Sequence, residues 1–161
     1  MLNTGAKNHN AEYPVREKLD RLLSEVTAEE RLRILQKTRS SRLNMTALHY
    51  ASDRNDAEII TTILTSLQPA DQLKLLMVKD ACGRTPLHSA ALLGHKKSVI
   101  ALLNNLTAKQ QLRLLSELWS GETAIERSSG DTRDTLLVFG MAAARKAMNG
   151  KLLLIYSTII Y

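Results

Sequence analysis

The chain is short of the devices that small folds use in place of a large core. One cysteine among 161 residues excludes an intrachain disulfide and points to a reducing compartment, cytoplasmic with the nucleus as the alternative. Aromatic residues make up only 4%, so any core must be built from Leu, Ile, Val and Ala. No uncharged apolar run approaches the roughly 20 residues needed to cross a bilayer; the most apolar stretch, Leu152 to Tyr161, is ten residues. Residues 1–13 are polar, without the apolar segment of a secretory signal. A glycine-rich phosphate loop is absent too. What remains is 44% hydrophobic and 24% charged, a globular balance in a chain long enough for one domain.

Against that background one pattern repeats. Thr85-Pro86-Leu87-His88-Ser89-Ala90-Ala91, followed by Gly94-His95, has an earlier copy at Thr46-Ala47-Leu48-His49-Tyr50-Ala51 and an eroded one at Thr123-Ala124-Ile125-Glu126. The tetrad threonines are 39 and 38 residues apart, a period that belongs to stacked units. The segments between tetrads also align: Leu22 to Leu35 matches Ile63 to Leu76 and Leu102 to Leu115. In each, an apolar pair leads to a polar break at Thr27, Gln68 or Thr107 and then to a second apolar run. Thr27 with Glu30 and Thr107 with Gln110 have capping-box spacing, and Pro69 stands where a first helical residue tolerates its missing N–H. Three helices per unit are therefore expected. In the middle unit Thr85 caps, Pro86 opens and Gly94 ends the first helix, and Val99, Leu102, Leu103 and Leu106 form the buried side of the second, with Lys96 and Lys97 in solvent.

The tetrads resemble the ankyrin repeat, whose hallmark is Thr-Pro-Leu-His on a helix-turn-helix unit of about 33 residues. The resemblance implies an all-α fold: a short ankyrin-like α-solenoid with projecting finger loops, here with an extra short helix per repeat. The fingers shorten along the stack, Leu35 to Thr46, Leu76 to Thr85, then Leu115 to Thr123. The expected organisation is a disordered segment 1–13, a partial repeat and N-terminal cap 14–40, repeats at 41–79 and 80–117, a degenerate repeat and C-terminal cap 118–149, and an apolar tail 150–161. Val15, Leu19, Leu22, Leu23 and Val26 make the cap's apolar stripe. In the last unit Glu126 replaces the tetrad His and Gly130 comes two residues early, with one helix expected over Leu136 to Asn149. The tail has the composition of an aggregation-prone strand, either a plug over the last repeat or the end of a spliced or truncated chain.

The residues offer little catalytic chemistry. His49 and His88 hold equivalent positions and could be read as a metal pair, yet no Cys or carboxylate is spaced to complete four ligands; the resemblance implies instead a hydrogen-bond network with the tetrad Thr. Cys82 has the cation Arg84 two residues away, but no His close in sequence to act as base. Ser120-Gly121-Glu122 and Ser129-Gly130-Asp131 lack the strand-turn-helix setting of a nucleophile elbow. Asn44-Met45-Thr46 and Asn105-Leu106-Thr107 match a glycosylation triplet only by accident of the repeat. Neither an enzyme, a metal nor a cofactor is expected.

Stacked repeats offer an extended concave face instead. In ankyrin-like proteins the contact residues are the finger tips and the exposed end of the first helix. By position these are Arg42, Leu43, Met45, Asp53 and Arg54 in the first unit, Ala81, Cys82, Arg84, Leu92 and Leu93 in the second, and Trp119, Ser120 and Glu122 in the third. Trp119, the only tryptophan, is either a binding hot spot or a cover for the last repeat. Leu92 and Leu93 pose the same choice. The net charge of +6 and the crowding of Arg31, Arg33, Lys37, Arg39 and Arg42 fit a protein partner with an acidic segment, or a solvated helix face. The expected function is thus a monomeric protein-interaction module. Nucleic acid or an anionic membrane is the alternative ligand, disfavoured because the few aromatics are not interleaved with basic residues. A further alternative is the targeting segment of a larger protein.

Overall fold

A computed structural model describes residues 13–37 and 43–148. Most of the N-terminal segment, Arg39, Arg42 and the whole apolar tail lie outside the described residues. Tyr13, expected in the disordered segment, opens the first helix.

Among the described residues ten helices follow in order: α1 (Tyr13–Ser24), α2 (Ala28–Gln36), α3 (Ala47–Asp53), α4 (Ala57–Thr65), α5 (Pro69–Leu76), α6 (Pro86–Leu92), α7 (Lys96–Asn104), α8 (Ala108–Leu115), α9 (Ala124–Arg127) and α10 (Gly130–Ala147). They stack in three columns. First helices α3, α6 and α9 pack in sequence, second helices α1, α4, α7 and α10 in another, and third helices α2, α5 and α8 in the last, where α10 also closes the end. The chain thus forms an all-α solenoid with three helices in each full unit. The described part of the N-terminal cap supplies a second and a third helix.

Local chemistry explains the helix starts. Thr27, Thr46, Thr85, Thr107 and Thr123 each form a reciprocal capping box with the residue three positions on, satisfying N–H groups that the helix leaves unpaired. Pro69 and Pro86 occupy first-turn positions. Between first and second helices the chain needs a left-handed residue. Gly94 takes it with φ 70° and Asn55 with φ 55°; Asn is the side chain that tolerates this conformation best after Gly. Asn55 Oδ1 then accepts from the backbone N–H and hydroxyl of Ser98 in the next unit, at 3.2 and 3.1 Å.

A second repeated device fastens the third helix. Gln72 Nε2 donates to the Leu64 carbonyl at 2.9 Å and Gln111 Nε2 to the Leu103 carbonyl at 2.9 Å, filling acceptors at the C-terminal end of the preceding helix. Arg31 holds the same position in the cap and donates to the carbonyls of Val26 and Ser66. Arg31 is therefore a structural residue, which removes it from the basic face.

The core is aliphatic. Leu48, Ile60, Leu64, Leu75, Leu76, Leu87, Val99, Leu102, Leu103, Leu114 and Leu136 have no exposed surface. At about 25 cal/mol per Å² of apolar area removed from water, such stacking supplies what the isolated helices, nearly all shorter than about 12 residues, lack.

Three expectations need correction. Leu22 is 53% exposed, whereas its equivalents Ile63 and Leu102 are buried; no described element precedes α1 to cover it. The last helix begins at Gly130 rather than Leu136. Its polar first turns are held by tertiary contact, since Thr132 is buried and α10 packs along both α7 and α8. Finally, Gly130, read as an early helix end, has φ 52° and stands at the start of α10 after a first helix cut to four residues.

Candidate functional site

The fingers are built outward from the tetrad histidines. In the first unit His49 Nδ1 accepts from the Thr46 backbone N–H at 3.2 Å and lies 2.8 Å from the Thr46 hydroxyl. A nitrogen that accepts an N–H carries no proton, so Nε2 holds it and donates to the Arg84 carbonyl of the next finger at 3.0 Å. His88 repeats this with Thr85 and with the Glu117 carbonyl of the third finger at 3.1 Å. Both rings are fully buried, and burial pushes their pKa below the usual histidine value. Each is a neutral strut from one repeat to the next finger. With both nitrogens committed, neither ring has a lone pair to offer a metal. Among the described residues no group of three His, Cys, Asp or Glu side chains could hold an ion.

In the last unit Glu126 takes over the capping half of the job, accepting from the Thr123 N–H at 2.7 Å and hydroxyl at 2.8 Å. No described finger follows, so the second half has no recipient. The Thr123 backbone N–H and hydroxyl hold the Glu126 carboxyl below the usual carboxylate range.

The second finger is organised by Asp80. Its Oδ1 accepts from the N–H of Cys82 and of Arg84, both at 2.9 Å, and its Oδ2 binds the Arg84 guanidinium through Nε and Nη2, both at 2.8 Å. These bonds outweigh its burial and keep the carboxyl below its normal range. Ala81 N–H donates to the Leu43 carbonyl at 2.9 Å, tying this finger to the first. The third finger is a two-residue turn: Trp119 and Glu122 exchange backbone hydrogen bonds at 2.8 and 3.2 Å around Ser120 and Gly121, with φ 54° and 84°. Two positive φ values in succession define the turn type that matches strand twist. Lys79 ion-pairs with Glu117 at 3.2 Å, so all three fingers form one row.

Trp119, in the third finger, leans on the second. The Arg127 guanidinium lies 4.5 Å and the Arg84 guanidinium 5.7 Å from its ring centroid, and His88 meets it edge-on at 6.3 Å. Arg127 in turn ion-pairs with Glu122. Trp119 is half-buried: it covers the junction of the second and third fingers and still presents part of its ring to solvent. Along the row Leu43, Ala81, Cys82, Ser120 and Glu122 are exposed, with Arg84 partly so.

The other expected contact residues lie apart from this row. Leu92 and Leu93 are 44% and 51% exposed at the far end of α6, roughly 10 Å from its start at 1.5 Å per residue. Asp53 and Arg54 occupy the corresponding end of α3, Asp53 half-buried and Arg54 exposed. Met45 is corrected: it is 4% exposed and belongs to the core. It holds the position before the tetrad that Arg84 and Glu122 hold in later units, and there an apolar side chain turns inward while the charged ones stay at the rim. Two further features escaped the sequence reading, Arg127 and the pairing of Lys79, Arg84 and Arg127 with carboxylates. The spacing of Glu122 and Arg127 gave no cue, because five residues is not a helical pairing interval and Glu122 stands ahead of α9, at the end of the Trp119–Glu122 turn.

A family model described as ankyrin repeats, in three copies, matches residues 16–114, more than half of the chain. No curated protein matches the sequence significantly. Among the described residues no helix is long and apolar enough to cross a membrane.

Proposed function

The chain belongs to the ankyrin-repeat family, whose repeats are generally protein-interaction modules, and on that premise we propose that its finger row is a non-catalytic docking surface for a partner protein. The observation that carries this is Trp119, set between Arg84 and Arg127 in a row of fingers braced by His49 and His88. A rigid, half-exposed aromatic flanked by ion-paired arginines is the composition of a binding hot spot, and bracing limits the ordering cost of association. The nearby cations Arg84, Arg127 and Lys79 are each neutralised in place by Asp80, Glu122 and Glu117. The finger row is therefore suited to planar and apolar groups with hydrogen-bonding edges more than to a run of acidic residues. Leu92 and Leu93 extend the contact for a partner that reaches across α6.

The test is capture of partners from a cell lysate by the wild type and by Trp119→Ala, followed by affinity measurement on the proteins retained. The alanine variant should lose about 1 to 3 kcal/mol of binding with an unchanged helical spectrum. A partner bound equally by both would move the contact surface elsewhere.

A further inference from the structure

Among the described residues the column of first helices has three members and none lies before α3. α3 is followed by α6 and α6 by α9, but the N-terminal cap begins with a second helix, so no described helix precedes α3. The stripe Ala47, Tyr50, Ala51 and Arg54, spaced along one side of α3, is where that helix would lie. In the next unit the matching residues Pro86, Ser89 and Ala90 are buried and only Leu93, at the helix end, is exposed; in α3 Ala51 is buried as well, but Ala47 is exposed and Tyr50 half-exposed. A groove of about 430 Å³ lies over this stripe, with Leu19 of α1 across from it and Ile59 and Ile63 beneath.

We propose that this groove receives an acidic amphipathic helix from another protein, which adds to the stack as the missing first helix. The groove is apolar along its floor, and its charged lining is lopsided. Lys37 and Arg54 are exposed and have no ion-pair partner among the described residues. The one carboxylate, Asp56, accepts from the Ile59 N–H at 3.0 Å as a helix cap. A helix with Leu and Ala on one side fits the floor as α3 fits α6, and carboxylates on its flanks meet Lys37 and Arg54.

The chain's own upstream residues have the wrong chemistry for the slot. Leu22 corresponds to Ile63, and the same register sets Lys7, Asn8 and Asn10 against Leu48, His49 and Ala51. Polar groups would enter the three positions that the full units keep for the core and the histidine strut.

The probe is a dye-labelled, stapled helical peptide of about 12 residues with Leu and Ala on one face and Glu on both flanks, titrated with the full chain and followed by anisotropy. It should bind, and a version with Lys in place of Glu should bind more weakly. Arg54→Glu should weaken the acidic peptide about tenfold and improve the basic one; Lys37→Glu is the second variant should the first lower the urea midpoint. Ala47→Arg should abolish binding, and Trp119→Ala should leave it unchanged, which keeps this site separable from the finger row. No binding, equal binding of the two peptides, or indifference to both charge reversals would overturn the proposal. So would a dimer in sedimentation that Ala47→Arg dissociates, since a second copy would then own the groove. Affinity rising more than tenfold on deletion of residues 1–12 would assign it to the chain itself.

Discussion

Replacing His88 by leucine tests the strut directly, because the substitution keeps bulk and removes only hydrogen bonds. The ring is fully buried and engages the Thr85 N–H, the Thr85 hydroxyl and the Glu117 carbonyl. Leucine leaves a donor and an acceptor unpaired in a buried site, at about 1 to 3 kcal/mol each, so His88→Leu should cost about 2 to 6 kcal/mol. Its counterpart Glu126 performs only the capping half at an exposed site, and Glu126→Ala should cost the usual cap loss of about 1 kcal/mol. Urea unfolding of the two variants provides the assay. Because the Glu117 bond crosses from the second unit to the third finger, His88→Leu should also lower the m-value as the terminal unit uncouples. Equal losses in the two variants, or a His88→Leu cost below about 1 kcal/mol, would refute the strut.

Stability should fall as pH drops below the ordinary histidine value of 6.5, because burial lowers the folded pKa of His49 and His88. Between the folded and unfolded values the unfolded chain binds more protons, so the loss comes on acidification and none arises above that range; urea midpoints identical at pH 7.5 and pH 5 would contradict this. Leu102→Ala, at a site with no exposed surface, should cost about 2 to 5 kcal/mol through a cavity, and an unshifted melting midpoint would disprove the packing register. Gly94→Ala should cost about 1 to 2 kcal/mol, since φ of 70° is left-handed and open space around it leaves strain as the only penalty. A neutral outcome in thermal unfolding would show that the turn relaxes.

What could be read in the sequence was local. The capping boxes of Thr27 and Thr107, the opening prolines and the turn at Gly94 all act within one or two helical turns, so residue type and spacing specify them without reference to the rest of the chain. The repeat supplied the one long-range fact, that three such units stack. Everything that crosses from unit to unit waited for tertiary structure. His49 and His88 reach the carbonyls of the following finger, Asn55 binds Ser98, Arg31 fastens helix ends, and Trp119 settles between arginines from two different units. The partners there are backbone groups or side chains 29 to 43 residues away in most cases, and nothing in their sequence neighbourhood marks them. The face of α3 that no described helix covers belongs to the same class. It is visible only as the exposure of Ala47 and Tyr50, because burial is a property of neighbours in space.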